Sequence, residues 1–275
     1  MNSIQGNLTE QTYVAGVVQA VRGLAGSGRH LIVVEGEDDR QFYSPFLDSD
    51  HTQIFVEGTC GYYNAIAAAI TARYSDRLTM IKDADFDHLM GTKPLSDNIL
   101  LTDFHDAEMF LTAVDIPASI ASAYDCGVIV SEVEVDIRSL SMVKWYNMAN
   151  SCKLSFKKKC KISKLYDGNA AITFQTCLTQ LACDSRNAGK AVVAQSDMEI
   201  FATANSGADW RQYTNGHDFL HAIATKINRL KTKAYSELDI RKTLEADYTQ
   251  AYFQHTSLYA GLMRRGVTVN SSICK

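Results

Sequence analysis

The sequence predicts an α/β protein: a parallel sheet flanked by helices, followed by a mainly helical, basic second domain. Three observations carry that expectation. Short apolar runs recur at 30–34, 53–56, 78–81 and 98–102, each followed within two residues by an acid, and segments with helical spacing lie between them. Strands separated by helices form βαβ units, whose strands run parallel with right-handed crossovers. After about residue 125 the pattern turns helical and the charge changes sign. Residues 1–125 hold 7 Lys/Arg against 18 Asp/Glu, a net of −11; residues 126–275 hold 20 against 13, a net of +7.

Taken in order, residues 10–25 space their apolar groups as a helix does, and Gly26-Ser27-Gly28 ends it. Four consecutive apolar residues from Leu31, two of them valine and one isoleucine, suit a strand buried on both faces. Asp38 and Asp39 open a helix over 38–47, where acids favour the positive end of the helix dipole. A second strand at 53–56 is closed by Glu57-Gly58, and the Ala-rich stretch 62–74 is strongly helical. The third strand, 78–81, runs into Lys82-Asp83-Ala84-Asp85-Phe86-Asp87. The fourth, 98–102, leads to Asp103, Asp106 and Glu108 and a helix to about 114. A strand-like piece at 127–130 and helices at 138–149, 170–183 and 217–231 follow. The shift in charge and pattern sets a boundary near 118–130, giving domains of 1–125 and 126–275.

Composition narrows the function classes. With 46% apolar and 21% charged residues the chain reads as an ordinary globular protein. No apolar run reaches the roughly 18–20 residues of a membrane span, and the N-terminus lacks a basic start followed by an apolar stretch. The seven cysteines are odd in number, scattered and free of any Cys-x-x-Cys. That argues for a reducing, cytoplasmic setting over a disulfide framework or a structural zinc site. The segment 23–30 (GLAGSGRH) resembles a phosphate loop only superficially. It lacks the Lys-Ser/Thr ending and precedes a strand where such a loop follows one. His217 and His221 lie four apart without the Glu of His-Glu-x-x-His, which favours a structural or hydrogen-bonding role. Trp145, Tyr146 and Trp210 read as core or interface.

The acids after the strands carry the chemistry. In parallel sheets reactive groups collect at the carboxyl ends of strands. A Glu-Gly after one strand is commonplace, and a lone Asp-x-Asp in a loop is usually solvated or capping. Their recurrence after successive strands of one sheet is what sets Glu35, Asp83 and Asp85 apart, with Asp39 and Glu108 as further candidates. Converging carboxylates repel one another unless a cation compensates. Mg²⁺ (or Mn²⁺) prefers such oxygen ligands, and it can polarise a phosphoryl oxygen and orient an attacking water. On an extended Asp83-x-Asp85 segment both side chains would face one ion.

Val34-Glu35-Gly36 followed by Asp39, then Asp83-Ala84-Asp85, resembles the TOPRIM domain of topoisomerases, primases and the overcoming-lysogenization-defect nucleases. The strings VEGEDDRQFY, KDADFD, LLTDFHDAEMFL and NGHDFLHAI resemble more closely a family of stand-alone TOPRIM-like proteins that includes the nuclease subunit of the PARIS phage-defence system. The likeness spans roughly residues 30–112 and 215–223. It implies that Glu35 is the catalytic Glu, that Asp83 and Asp85 are the Asp-x-Asp pair, and that Mg²⁺ serves phosphodiester chemistry. Asp39 matches a further acid of the lysogenization-defect nucleases, and Glu108 an acid of the stand-alone proteins. The resemblance further implies an ABC-type ATPase partner that holds the nuclease inactive until phage infection, and host tRNA as substrate.

The basic region matches no named motif. Lys153, Lys157, Lys158, Lys159, Lys161 and Lys164 place six lysines in twelve residues, interleaved with Leu154, Phe156 and Ile162; with Arg264 and Arg265 they are the candidate contacts to nucleic acid. Rival readings are a DNA-nicking enzyme, a phosphoacceptor module and a non-catalytic regulatory subunit of an ATPase complex. The chain is short for a complete topoisomerase, no well-placed Lys follows Thr102 as a receiver needs, and the intact Glu35, Asp83 and Asp85 oppose a degenerate site. A homodimer would suit paired cutting of nucleic acid.

Overall fold

Four strands, β1 (His30–Val34), β2 (Thr52–Val56), β3 (Leu78–Lys82) and β4 (Ile99–Leu101), form a sheet in the order β2-β1-β3-β4, every pair parallel. The computed structural model describes residues 27–56, 77–113, 117–125, 130–190, 192–231 and 233–270, with positions 15, 19 and 23. The helix expected over 62–74 lies outside the described residues, as does that over 10–25 apart from positions 15, 19 and 23, which are helical. The chain divides into two compact units that interleave along it. One comprises Met1–Asp83, Lys93–Asp103 and Thr249–Lys275; the other comprises Ala84–Thr92 and Phe104–Tyr248.

The first unit holds the sheet. All five residues of β1 are buried, which is why its run is continuously apolar after His30. Helix α1 (Glu37–Tyr43) leaves β1 through Glu35-Gly36 and turns into a 3-10 segment, Ser44–Phe46, at Pro45. The last described helices of the chain return here: α10 (Gln250–Gln254) and α11 (Ser257–Arg264). Phe253 stacks on Phe46 at 4.7 Å and packs against Tyr43. Gly261 lies so close to β4 that a Cβ there would sit 3.0 Å from both methyls of Leu100. Each fully buried side chain of this size contributes about 1.5–3 kcal/mol.

The second unit is helical. It contains α2 (Asp87–Met90), a 3-10 segment Ala107–Thr112, α3 (Pro117–Tyr124), α4 (Val130–Ala149), α5 (Ile162–Leu165), α6 (Phe174–Ala182), α7 (Gln195–Ala204), α8 (Gly216–Leu230) and α9 (Glu237–Asp247). Helix α8 packs on α4 and α9, burying Phe219, Leu220, Ile223 and Ile227 along one stripe. Two local expectations differ. Val130 opens α4, because Val130, Val133, Ile137 and Leu140 are buried at helical spacing; the rest of the expected strand, 127–129, lies outside the described residues. Residues 107–112 wind as 3-10, all six buried, so no amphipathic stripe selects the α period. Among the described residues no helix is long and apolar enough to cross a membrane.

Candidate functional site

Glu35 and Asp83 leave the same edge of the sheet. β1 and β3 are neighbours with Val33 opposite Met80. Continued past the strand ends, that register sets Glu35 beside Lys82 and Gly36 beside Asp83, so the two acids are one residue out of step. Adjacent strands lie about 4.8 Å apart. Both acids are half-buried, where a second negative charge is costly without compensation. Asp39, also half-buried, stands in the first turn of α1 and accepts a hydrogen bond from the Gly36 N–H at 2.8 Å. That bond fixes the turn by which the chain leaves Glu35.

Asp85 behaves differently from the extended segment the Asp-x-Asp spacing suggests. Its backbone is left-handed, φ 47°, and its side chain is exposed. Aspartate tolerates this region better than most residues. The cause is visible in the second unit: the Asp85 N–H donates to the His105 carbonyl at 2.7 Å, and Phe86 meets the His105 ring edge-on at 5.1 Å. The strict alternation of side chains therefore stops at Asp85.

The acids after β4 have other occupations. In the first unit both Asp103 carboxylate oxygens accept backbone N–H groups at the start of α11, Ser257 at 2.6 Å and Leu258 at 2.8 Å. In the second unit Asp106 caps the 3-10 segment and accepts the Gly216 N–H at 2.7 Å at the start of α8. A Cβ on Gly216 would fall 2.3 Å from the Glu108 Cβ and 2.4 Å from an Asp106 carboxylate oxygen, so only glycine fits. Glu108 is buried and meets Arg241 Nη1 at 2.8 Å, with His217 Nε2 at 3.8 Å. Burial and the Asp106 carboxylate push Glu108 up to about 7, against the pull of His217 and Arg241. The Glu237 carboxylate, 3.6 Å from His217 Nδ1, pushes that imidazole up to about 9, and His221 Nδ1 lies 3.1 Å from the other Glu237 oxygen. The network of Glu108, His217, Glu237 and Arg241 escapes sequence reading, since its members lie on three elements. Its linear traces are the His217/His221 spacing and Glu108 itself, an acid after the fourth strand.

The basic candidates separate as well. Lys153, Lys157, Lys158, Lys159, Lys161 and Lys164 are all exposed, the first five on one loop of the second unit and Lys164 in α5 directly after it, while Cys160 and Ile162 between them are buried and anchor the segment. Arg264 is exposed in the last turn of α11. Arg265 is half-buried and donates to the Leu78 carbonyl at 3.2 Å, at the amino end of β3. Glu35 and Asp83 stand past the opposite, carboxyl ends of their strands.

Among the described residues, no group of three or more His, Cys, Asp or Glu is gathered closely enough to hold a metal ion. What the sheet supplies is a pair of half-buried oxygen donors on neighbouring strand ends, a donor type that suits a hard divalent cation. Fold and site together define an α/β protein with acids at the carboxyl edge of a parallel sheet. No protein-family model matches the chain, and no curated protein matches it.

Proposed function

We propose that the protein is a Mg²⁺-dependent (or Mn²⁺-dependent) TOPRIM-like endonuclease. In this reading it is the effector of an anti-phage defence system, cleaves host tRNA, and is held inactive by an ABC-type ATPase partner until triggered. The observation that carries the proposal is the emergence of Glu35 and Asp83 from adjacent parallel strands at one sheet edge. Glu35 and Asp83 would supply oxygen ligands to the metal, with Asp39, in the first turn of α1, as a further acid of the same unit. Bound there, the ion would polarise a phosphoryl oxygen and make water a stronger nucleophile. Glu108 is left out of this metal set, because Arg241 already supplies its countercharge. The exposed lysine loop would hold phosphates by charge alone, without sequence preference.

The test compares wild type with Glu35→Ala and Asp83→Ala, each incubated with total tRNA and with plasmid DNA in Mg²⁺ and in EDTA. Cleavage by wild type only, and only with metal, is the expected result. Each substitution should slow it by at least about a hundredfold. Full cleavage by Glu35→Ala, or a wild type inert on both substrates with metal present, sinks the nuclease reading. Nicking of plasmid with tRNA left intact would move the substrate to DNA.

A further inference from the structure

The second unit carries a pocket of about 430 Å³ between α4, the end of α7 and the segment that follows it. That volume falls in the range of small-molecule sites. Its chemistry is unusual for a surface hollow. Glu134 is 5% exposed, yet it lines the pocket as part of a fork with Arg138, which donates from Nε at 2.7 Å and from Nη2 at 2.6 Å. A buried carboxylate survives by such pairing. Trp210, packed on Phe219 at 5.2 Å, supplies a flat wall, and the Met142 thioether adds a soft, polarizable surface. Tyr213 also lines the pocket; burial and the nearby Glu134 charge push its phenol up to about 12, so it is a neutral hydroxyl at pH 7. Small residues, Ala202, Ser206 and Ala208, complete the lining, and Ser206 is exposed.

Each feature excludes some ligands. The carboxylate and the guanidinium cancel, so a simple anion finds no net attraction and a buried negative charge besides. An acyl chain would cover the charged pair without satisfying it. A carboxylate has more lone pairs than Arg138 occupies, and the guanidinium has more N–H groups than Glu134 accepts. Acceptor and donor therefore stand side by side in a lining that also holds Trp210. We propose that this pocket binds a nucleobase bearing an exocyclic amine: adenine, cytosine or guanine. The base stacks along Trp210, its amine donates to Glu134, and its ring nitrogen or carbonyl accepts from Arg138. Uracil and thymine lack the amine and leave Glu134 without a donor. None of the strand-end acids lines this pocket, and the proposal does not rest on the nuclease reading.

The experiment is equilibrium binding to the full chain in EDTA, where no metal-dependent cleavage occurs, using AMP, CMP, GMP and UMP and then short oligo(A) and oligo(U). Amine-bearing nucleotides should bind at least about tenfold more tightly than UMP, because a site built around a hydrogen bond rejects the analogue that lacks it. Glu134→Gln should weaken binding about tenfold or more. Ser206→Trp, which adds bulk to the pocket from an exposed lining position and leaves the Glu134–Arg138 fork in place, should do the same. Thermal melting checks that each variant is folded. If oligo(A) displaces AMP, the source of the base is a nucleic acid strand; if only mononucleotides compete, it is a free nucleotide, and either result supports the site. Absence of binding to wild type, equal affinity for UMP, or unchanged affinity in Ser206→Trp overturns it.

Discussion

His30 begins the central strand buried, its Nε2 2.9 Å from the Thr79 hydroxyl. Burial, then the cations of Arg265 and Arg77, lower its pKa from 6.5 to about 4. The folded protein thus keeps the imidazole neutral where an unfolded chain would protonate it. A depressed folded pKa contributes stability that is fully present above pH 6.5 and lost as pH falls from 6.5 through 4. At about 1.4 kcal/mol per unit, the loss attributable to His30 is on the order of 3 kcal/mol. Glu108 works in the opposite sense over much of the same window: its raised pKa adds stability that is lost as pH rises through about 7. A single pH profile therefore mixes the two, and the comparison has to be between variants. Glu in place of His30 would add a charge, so the informative change is His30→Gln, which keeps a nitrogen for Thr79. Urea unfolding at pH 7, 5.5 and 4.5 should show a clearly shallower loss of stability in His30→Gln than in wild type. Parallel profiles would remove His30 from the account.

At the scale of elements, the strands were legible because burial on both faces writes a continuous apolar run, as in Leu31-Ile-Val-Val34. So was the exit of Glu35 and Asp83 from such runs. What those acids do was less legible, because a carboxylate after a strand looks the same in sequence whether it faces a cation or caps a helix. Asp103 caps a helix that starts 154 residues later, and Asp106 one that starts 110 residues later. Arg241, 133 residues from Glu108, is equally invisible in linear order. The backbone at Asp85 was illegible for a different reason: its left-handed conformation goes with an N–H bond to the His105 carbonyl, which no local spacing reports. The turn signal at Asn215-Gly216 was visible, but its purpose is space, since the 3-10 segment and the start of α8 meet there. Gly216→Ala should cost about 2–3 kcal/mol through overpacking against Glu108 and Asp106. Chemical denaturation measures it, and a loss below about 0.5 kcal/mol would mean the approach relaxes freely.

For the molecule as a whole, the division of charge between an acidic front and a basic rear is only as useful as the rigidity of the surface that displays it. A lysine run on a floating loop is a solvated tether; one held to a scaffold is a positioned row of charges. The loop over 153–161 is of the second kind. The Ser155 N–H donates to the Asn187 side chain at 2.7 Å, whose own amide returns a bond to the Ser155 carbonyl at 3.2 Å. The Lys159 N–H reaches the buried Asp184 carboxylate at 3.3 Å, and Lys190 Nζ donates to the Lys153 carbonyl at 2.5 Å. Those bonds are made to the backbone of Lys153, Ser155 and Lys159 and leave the side chains of Lys157, Lys158 and Lys159 exposed. If they track a phosphate backbone, each releases counterions and adds about 0.7 to the slope of log affinity against log salt for a single strand. Changing all three to alanine should then lower that slope by about 2, weaken binding similarly for every sequence tested, and shift stability by no more than about 0.5 kcal/mol, as surface changes do. Filter binding of tRNA across a salt series in EDTA reads the slope directly, apart from any cleavage. A slope equal to that of wild type would assign these lysines to solvent and send the search for the nucleic-acid path elsewhere on the chain.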